Sequence, residues 1–219
     1  MTTTAIAGVY GITDSTLMPG DALLCKSEAA LRAGLRILQY RDKSDDAARR
    51  LREAAALHAL CRDYGALFVV NDDAALAAKI AAPALHVGRE DAPLAELRRH
   101  FGGSLCIGVS CYDDLARAER AQAEGADYVA FGAFFPSPSK PDTSRAPLHL
   151  LREARRRLQV PVVAIGGIRA DNGADLLAAG ADALAVISAL FGSADVAAAM
   201  RRLQALFVLA GGSQTMEES

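Results

Sequence analysis

Gln39, Arg41 and Lys43 alternate through the segment Gln39-Tyr40-Arg41-Asp42-Lys43, just after an apolar run. Alternate residues of an extended strand share a face, so two cations and an amide would point the same way. Arginine offers a planar donor fork and lysine a compact charge, a pairing suited to a monophosphate or diphosphate. A plainer alternative is a solvated loop in which these cations pair with Asp42 and Asp45. The alternation favours the anion site. Asn71-Asp72-Asp73 and the later Val87-Gly-Arg-Glu-Asp91 put carboxylates after two further apolar runs. A hard cation such as Mg²⁺ takes one or two carboxylates plus substrate phosphate oxygens. Equally, an Asp here could cap the helix that starts at Ala74. Asp72 is expected to bind metal and Asp73 to cap, although spacing alone does not choose between them.

Phe135-Pro-Ser137-Pro-Ser139-Lys140-Pro-Asp is a stiff, hydroxyl-bearing segment with one lysine. Such a segment could position phosphate donors, or it could be an ordinary exposed loop. Ala164-Ile-Gly166-Gly167-Ile and Val186-Ile187-Ser188 offer backbone amides, because glycine lets a ligand approach the chain closely. The histidines say less. His58, His100 and His149 fall in helical stretches, while His86 lies in a strand-like run, where a satisfied core histidine is the commoner finding. Cys111 and Tyr112, following Ser110, either line a site or pack. No Ser/His/Asp or Cys/His arrangement emerges, so acyl-transfer chemistry is unsupported.

Eight short apolar runs must position these groups: Gly8–Thr13, Leu35–Arg41, Leu67–Val70, Ala84–Val87, Leu105–Val109, Tyr128–Phe131, Val162–Ile165 and Ala183–Ile187. Their continuous apolar character fits strands buried on both faces. Helical stretches such as Asp45–Tyr64 and Asp113–Glu124 lie between them and open on acidic residues, as the helix dipole favours. Glu124-Gly-Ala-Asp-Tyr-Val echoes Ala179-Gly-Ala-Asp-Ala-Leu, each with a glycine ending a helix before a strand. No GxGxxG follows the first run, which disfavours a doubly wound dinucleotide-binding sheet. The expected fold is α/β, a single (β/α)₈ TIM barrel over residues 1–208, with a flexible tail at 209–219. The polar groups above would gather at the C-terminal ends of its strands.

Composition narrows the function classes. The chain has 219 residues, with 24 basic against 26 acidic and a formal net charge of −2, so it carries no nucleic-acid footprint. It has no 18-residue apolar stretch, and its start lacks a signal-peptide pattern. The four cysteines, at positions 25, 61, 106 and 111, form no Cys-x-x-Cys pair and fit a reducing, cytoplasmic setting better than a disulfide frame or zinc site.

Read in order, Gly11-Ile-Thr-Asp14, Gln39-x-Arg-x-Lys43, Asn71-Asp72, His86-Val-Gly-x-Glu-Asp91, Gly108-Val-Ser110, Ser137-Pro-Ser-Lys140, Ala164-Ile-Gly-Gly-Ile168 and Val186-Ile-Ser188 resemble the thiamine-phosphate synthase family from about Val9 to Phe191. The resemblance implies a Mg²⁺-dependent transferase that joins hydroxymethylpyrimidine diphosphate to hydroxyethylthiazole phosphate. It implies that Gln39, Arg41, Lys43, Asn71 and Lys140 hold the diphosphate and that Asp72 and Asp91 ligate Mg²⁺. Ser110 and Lys140 would stand at the reacting centre. Ser137, Ser139 and the chain at Gly167, Ile187 and Ser188 would take the thiazole phosphate. Departures from the family pattern are serines for threonines at 137 and 139, Arg89 for glutamine, and Tyr112 where many relatives have histidine. The alternatives are a thiazole tautomerase and a non-catalytic barrel that binds thiamine precursors. The expected partners are phosphorylated small molecules, with no nucleic acid or membrane; a homo-oligomer is left open.

Overall fold

The computed structural model describes residues 6–136 and 145–214, with 210–214 as helix backbone only. Its strands are β1 (Gly8–Ile12), β2 (Ile37–Tyr40), β3 (Leu67–Asn71), β4 (Ala84–Val87), β5 (Cys106–Tyr112), β6 (Tyr128–Phe131), β7 (Val162–Ile165) and β8 (Ala183–Val186). All neighbours are parallel, and β8 pairs with β1 to close the barrel. Helices α1 (Ala22–Arg32), α2 (Ala47–Asp63), α3 (Ala74–Lys79), α4 (Leu94–Phe101), α5 (Leu115–Ala123), α6 (His149–Arg157) and α7 (Ala174–Ala178) make the crossovers. A short α8 (Ser188–Phe191) and the long α9 (Val196–Gln214) follow β8. The expected TIM barrel is what the chain adopts.

Two apolar clusters account for the continuous hydrophobic runs. One lies inside the barrel and includes Tyr10, Ile37, Val69, Ala84, Tyr128 and Val163. The other, including Leu38, Phe68, Leu85, Val129 and Leu184, packs the outer strand faces against the helices. Period-two alternation therefore divides each strand between two buried faces. In β2, Ile37 belongs to the interior cluster and Leu38 to the outer one, so the parity continues inward at Gln39.

Aspartates set the helix starts that follow the strands. Asp46, Asp73 and Asp114 accept from the amides of Arg49 (2.9 Å), Leu76 (2.8 Å) and Arg117 (2.9 Å), capping α2, α3 and α5. The role expected for Asp73 is confirmed. The sequence echo is also structural. Asp127 and Asp182 accept from the amides of Ile107 (2.6 Å) and Val162 (2.8 Å), tying the foot of each incoming strand to the strand before it.

Helix α9 runs to Gln214, into the segment 209–219 read from the sequence as a flexible tail. A helix already docked on α1, α7 and β1 gains one backbone bond per added residue, which offsets the poor propensity of Gly211-Gly212. No helix among the described residues is long and apolar enough to cross a membrane.

Candidate active site

Among the described residues, Gln39, Arg41, Lys43, Asn71, Asp72, Asp91, Ser110, Gly167, Ile187 and Ser188 fall at or just after the C-terminal strand ends, where a barrel's connecting loops converge. Gln39 is buried, and its Nε2 donates to Tyr10 Oη at 2.8 Å. Arg41 follows the end of β2; its backbone amide donates to Thr13 Oγ1 at 2.9 Å, and its guanidinium has no carboxylate partner among the described residues. Asp42 pairs with Arg49 at 2.7 Å, not with Arg41 or Lys43. The nearest anion in sequence is thus already neutralised by α2. Lys43 pairs with Asp72 instead.

Asp72 has a left-handed backbone, φ +62°, immediately after β3, and its amide donates to the His86 carbonyl at 2.8 Å. Non-glycine residues adopt this conformation at a cost, and such positions cluster at functional sites. Asp91 accepts from the Gly88 amide at 2.6 Å. Burial raises the Asp91 carboxyl above its ordinary value, and the facing Asp72 carboxylate raises it further. Two carboxylates from adjacent strand ends therefore meet, with Lys43 beside them. Among the described residues no group of three or more His, Cys, Asp or Glu side chains could hold a metal. A two-carboxylate donor set fits a hard cation that completes its shell with water and phosphate, and fits zinc poorly. Asn71 ends β3 half-buried beside this pair.

Ser110 stands at a bulge: the β5–β6 register shifts between Ser110 and Tyr112, making Cys111 the extra residue. Cys111 is buried and packs, whereas Tyr112 has φ +57° and lies under the Arg89 guanidinium at 4.7 Å. The unusual pair of Arg89 and Tyr112 thus meets through the tyrosine's ring face beside Asp91. Arg117 of α5 donates to the carbonyls of Ser110 (2.9 Å) and Gly88 (3.1 Å), joining the ends of β5 and β4.

Behind Ser110 runs a polar line that the sequence did not announce. His86 Nε2 lies 2.8 Å from Ser110 Oγ and Nδ1 lies 3.1 Å from Tyr128 Oη. Tyr128 Oη is 2.9 Å from Tyr10 Oη, which reaches Gln39. Burial pulls the His86 imidazole down to about 4 and pushes both phenols up, so all three stay neutral near pH 7. His86 is the satisfied core group the sequence suggested, but it also faces the mouth. Strand parity could have flagged Tyr10 and Tyr128, which share the interior face with Ile12 and Ala130.

Across the mouth, Gly166 (φ +104°) and Gly167 (φ +61°) end β7 in conformations that side chains avoid. The Phe135 amide donates to the Gly166 carbonyl at 3.0 Å, bringing the start of the segment after β6 over these glycines. Ile187 and Ser188 follow β8, with α8 starting at Ser188. Amides in a first helical turn lack intrahelical partners and can meet an anion. Ser137, Ser139 and Lys140 lie outside the described residues.

Residues 9–190 match the family model described as thiamine monophosphate synthase. The chain is 58% identical over 205 residues to the thiamine-phosphate synthase of Acidithiobacillus ferrooxidans (strain ATCC 53993 / BNL-5-31), covering 92% of this chain and 94% of that one. It is 52% identical over 202 residues to the thiamine-phosphate synthase of Thioalkalivibrio sulfidiphilus, covering 92% and 96%. Among solved structures, a thiamine phosphate pyrophosphorylase from Pyrococcus furiosus superposes with a TM-score of 0.85 at 34% identity, covering 93% of this chain and 96% of that one.

Proposed function

The chain belongs to the thiamine monophosphate synthase family, and from that premise we propose that it condenses hydroxymethylpyrimidine diphosphate with hydroxyethylthiazole phosphate, releasing thiamine monophosphate and pyrophosphate. The observation that supports this most is the meeting of Asp72, Asp91 and Lys43 at the strand ends, with Arg41 lacking a carboxylate partner among the described residues. A site that must take a diphosphate and a divalent cation needs that mixture of charges.

In this reading Arg41, Lys43, Asn71 and Lys140 hold the diphosphate, and Gln39 lines the same half of the mouth. Asp72 and Asp91 would hold Mg²⁺, which when bound supplies positive charge to the diphosphate oxygens. Ser137, Ser139 and the chain at Gly167, Ile187 and Ser188 take the thiazole phosphate. The bond between the pyrimidine methylene carbon and the diphosphate oxygen breaks, and that oxygen leaves with the electron pair. The thiazole nitrogen lone pair then forms the new carbon–nitrogen bond. Charge builds on the departing diphosphate, so fixed cations and donors lower the barrier directly.

No protein nucleophile is required, which agrees with the groups present. Burial pushes the thiols of Cys106 and Cys111 up to about 12, leaving them inert at neutral pH. Incubating purified protein with both substrates, with and without Mg²⁺, tests the proposal. Equimolar, Mg²⁺-dependent thiamine monophosphate and pyrophosphate are expected. Folded protein that binds thiazole phosphate yet forms neither product would instead be a tautomerase or a silent binder.

A further inference from the structure

The barrel interior contains a five-residue hydrogen-bond chain, Gln39–Tyr10–Tyr128–His86–Ser110, that starts and ends at the mouth. Gln39, Tyr10, Tyr128 and His86 are all buried, with Tyr128 fully so. Among the described residues the buried side-chain polar atoms without partners are Ser27 Oγ and Arg50 Nε, so the chain leaves none of its own atoms orphaned. A fully satisfied polar line in an apolar interior is costly to assemble and rigid once formed.

Its proton direction follows from the donors. Gln39 Nε2 donates to Tyr10 Oη, so the Tyr10 proton cannot return to that nitrogen and goes to Tyr128 Oη. The Tyr128 proton then goes to His86 Nδ1, which must be the bare nitrogen. With Nδ1 bare and accepting from Tyr128, the ring proton resides on Nε2 and is donated to Ser110 Oγ. The Ser110 oxygen accepts from behind, and its own proton is left to point away from the histidine. A reversed chain would turn the Ser110 proton back onto Nε2 and leave the serine only lone pairs to offer.

We propose that Tyr10, Tyr128 and His86 are positioning residues that hold His86 as the Nε2–H tautomer and thereby make Ser110 a hydrogen-bond donor to the substrate. Ser110 is the residue that touches substrate; the other three act through it. A donor fixed before substrate arrives, and polarised by the bond it accepts, suits negative charge developing on a leaving group. The identity of that substrate rests on the synthase reading, whereas the direction of the chain does not.

Nitrogen NMR of ¹⁵N-histidine-labelled wild-type protein at pH 7 tests the direction, with His86 assigned by its loss in His86→Gln. A protonated Nε2 and bare Nδ1 are expected; a protonated Nδ1 overturns the proposal. Kinetics test the role. His86→Leu is expected to lower kcat on the order of 10- to 100-fold with little change in KM for the thiazole phosphate, and His86→Gln, which keeps an N–H towards Ser110, to restore most of it. His86→Leu combined with Ser110→Ala should be no slower than the slower single variant, because one acts through the other. Multiplying effects, or equal losses in the Gln and Leu variants, would overturn it. Should the wild type lack synthase turnover, the functional reading falls, and the nitrogen spectrum alone then decides the chain.

Discussion

A methyl group at position 108 would overlap the Tyr128 ring, so Gly108 of β5 is the space that lets Tyr128 of β6 lie across the barrel interior. Gly108→Ala must displace that ring and with it the bonds to Tyr10 and His86. Overpacking a filled core typically costs roughly 1–3 kcal/mol, and for a domain of this size each kcal/mol lowers Tm by about 2–4 °C. Gly103→Ala is the control, because a methyl there meets nothing within 4 Å. Thermal melts should show a clear drop for Gly108→Ala and almost none for Gly103→Ala. Equal melting temperatures would mean that the ring yields without loss.

Arg41 makes a different kind of prediction. Its guanidinium has no carboxylate partner among the described residues, so removing it breaks no ion pair there. Arg41→Ala should leave the urea midpoint within about 0.5 kcal/mol of wild type, as for a surface substitution. The loss should appear in turnover: removing one preorganised donor to developing charge typically costs about 2.7–4 kcal/mol, or 10²- to 10³-fold. Steady-state kinetics should assign that loss to the diphosphate substrate and leave KM for the thiazole phosphate unchanged.

The Asp72–Asp91 pair sets function against stability. Asp91 is held close to a like charge, and both burial and that neighbour penalise its ionised form. Asp91→Asn keeps an oxygen for the Gly88 amide while removing the repulsion. The variant should melt at or slightly above the wild-type temperature. Its Mg²⁺ requirement, titrated through product formation, should rise at least about tenfold, the effect expected when one of two carboxylates holding the ion is lost. A lower Tm would show that the carboxylate itself stabilises the fold.

The division of each strand into two buried faces explains how much was readable in advance. Apolar runs announce buried strands, and parity then carries Gln39, Asn71, His86 and Ser110 to the interior without any tertiary information. Asp73 was legible as a cap because its partner is three residues away. The partners of Arg117 are carbonyls, 7 and 29 residues distant, which leave no trace in side-chain chemistry. Tyr10 and Tyr128 went unremarked in the sequence, since a phenol's hydrogen-bond role depends on what the barrel places opposite it. The last turns of α9 escaped notice because local propensity is overridden by docking.

Alkaline titration should expose the buried thiols. Burial pushes Cys61, Cys106 and Cys111 up to about 12 in the folded chain, whereas an unfolded cysteine ionises near ~8.5. Between those values the unfolded chain has lost protons that the folded one retains, so stability falls as pH rises. Below the unfolded value the contribution is fully present. The slope is at most roughly 1.4 kcal/mol per pH unit for each thiol. Melting temperature should therefore hold steady up to about pH 8.5 and then decline through pH 11. Replacing Cys61, which is fully buried, with alanine should reduce that slope while lowering Tm at neutral pH. Thiol labelling of folded protein at pH 8 should modify exposed Cys25 quickly and Cys61 and Cys111 only on unfolding. Rapid labelling of all four in the native state would place the thiols in contact with solvent and remove the basis for the alkaline decline.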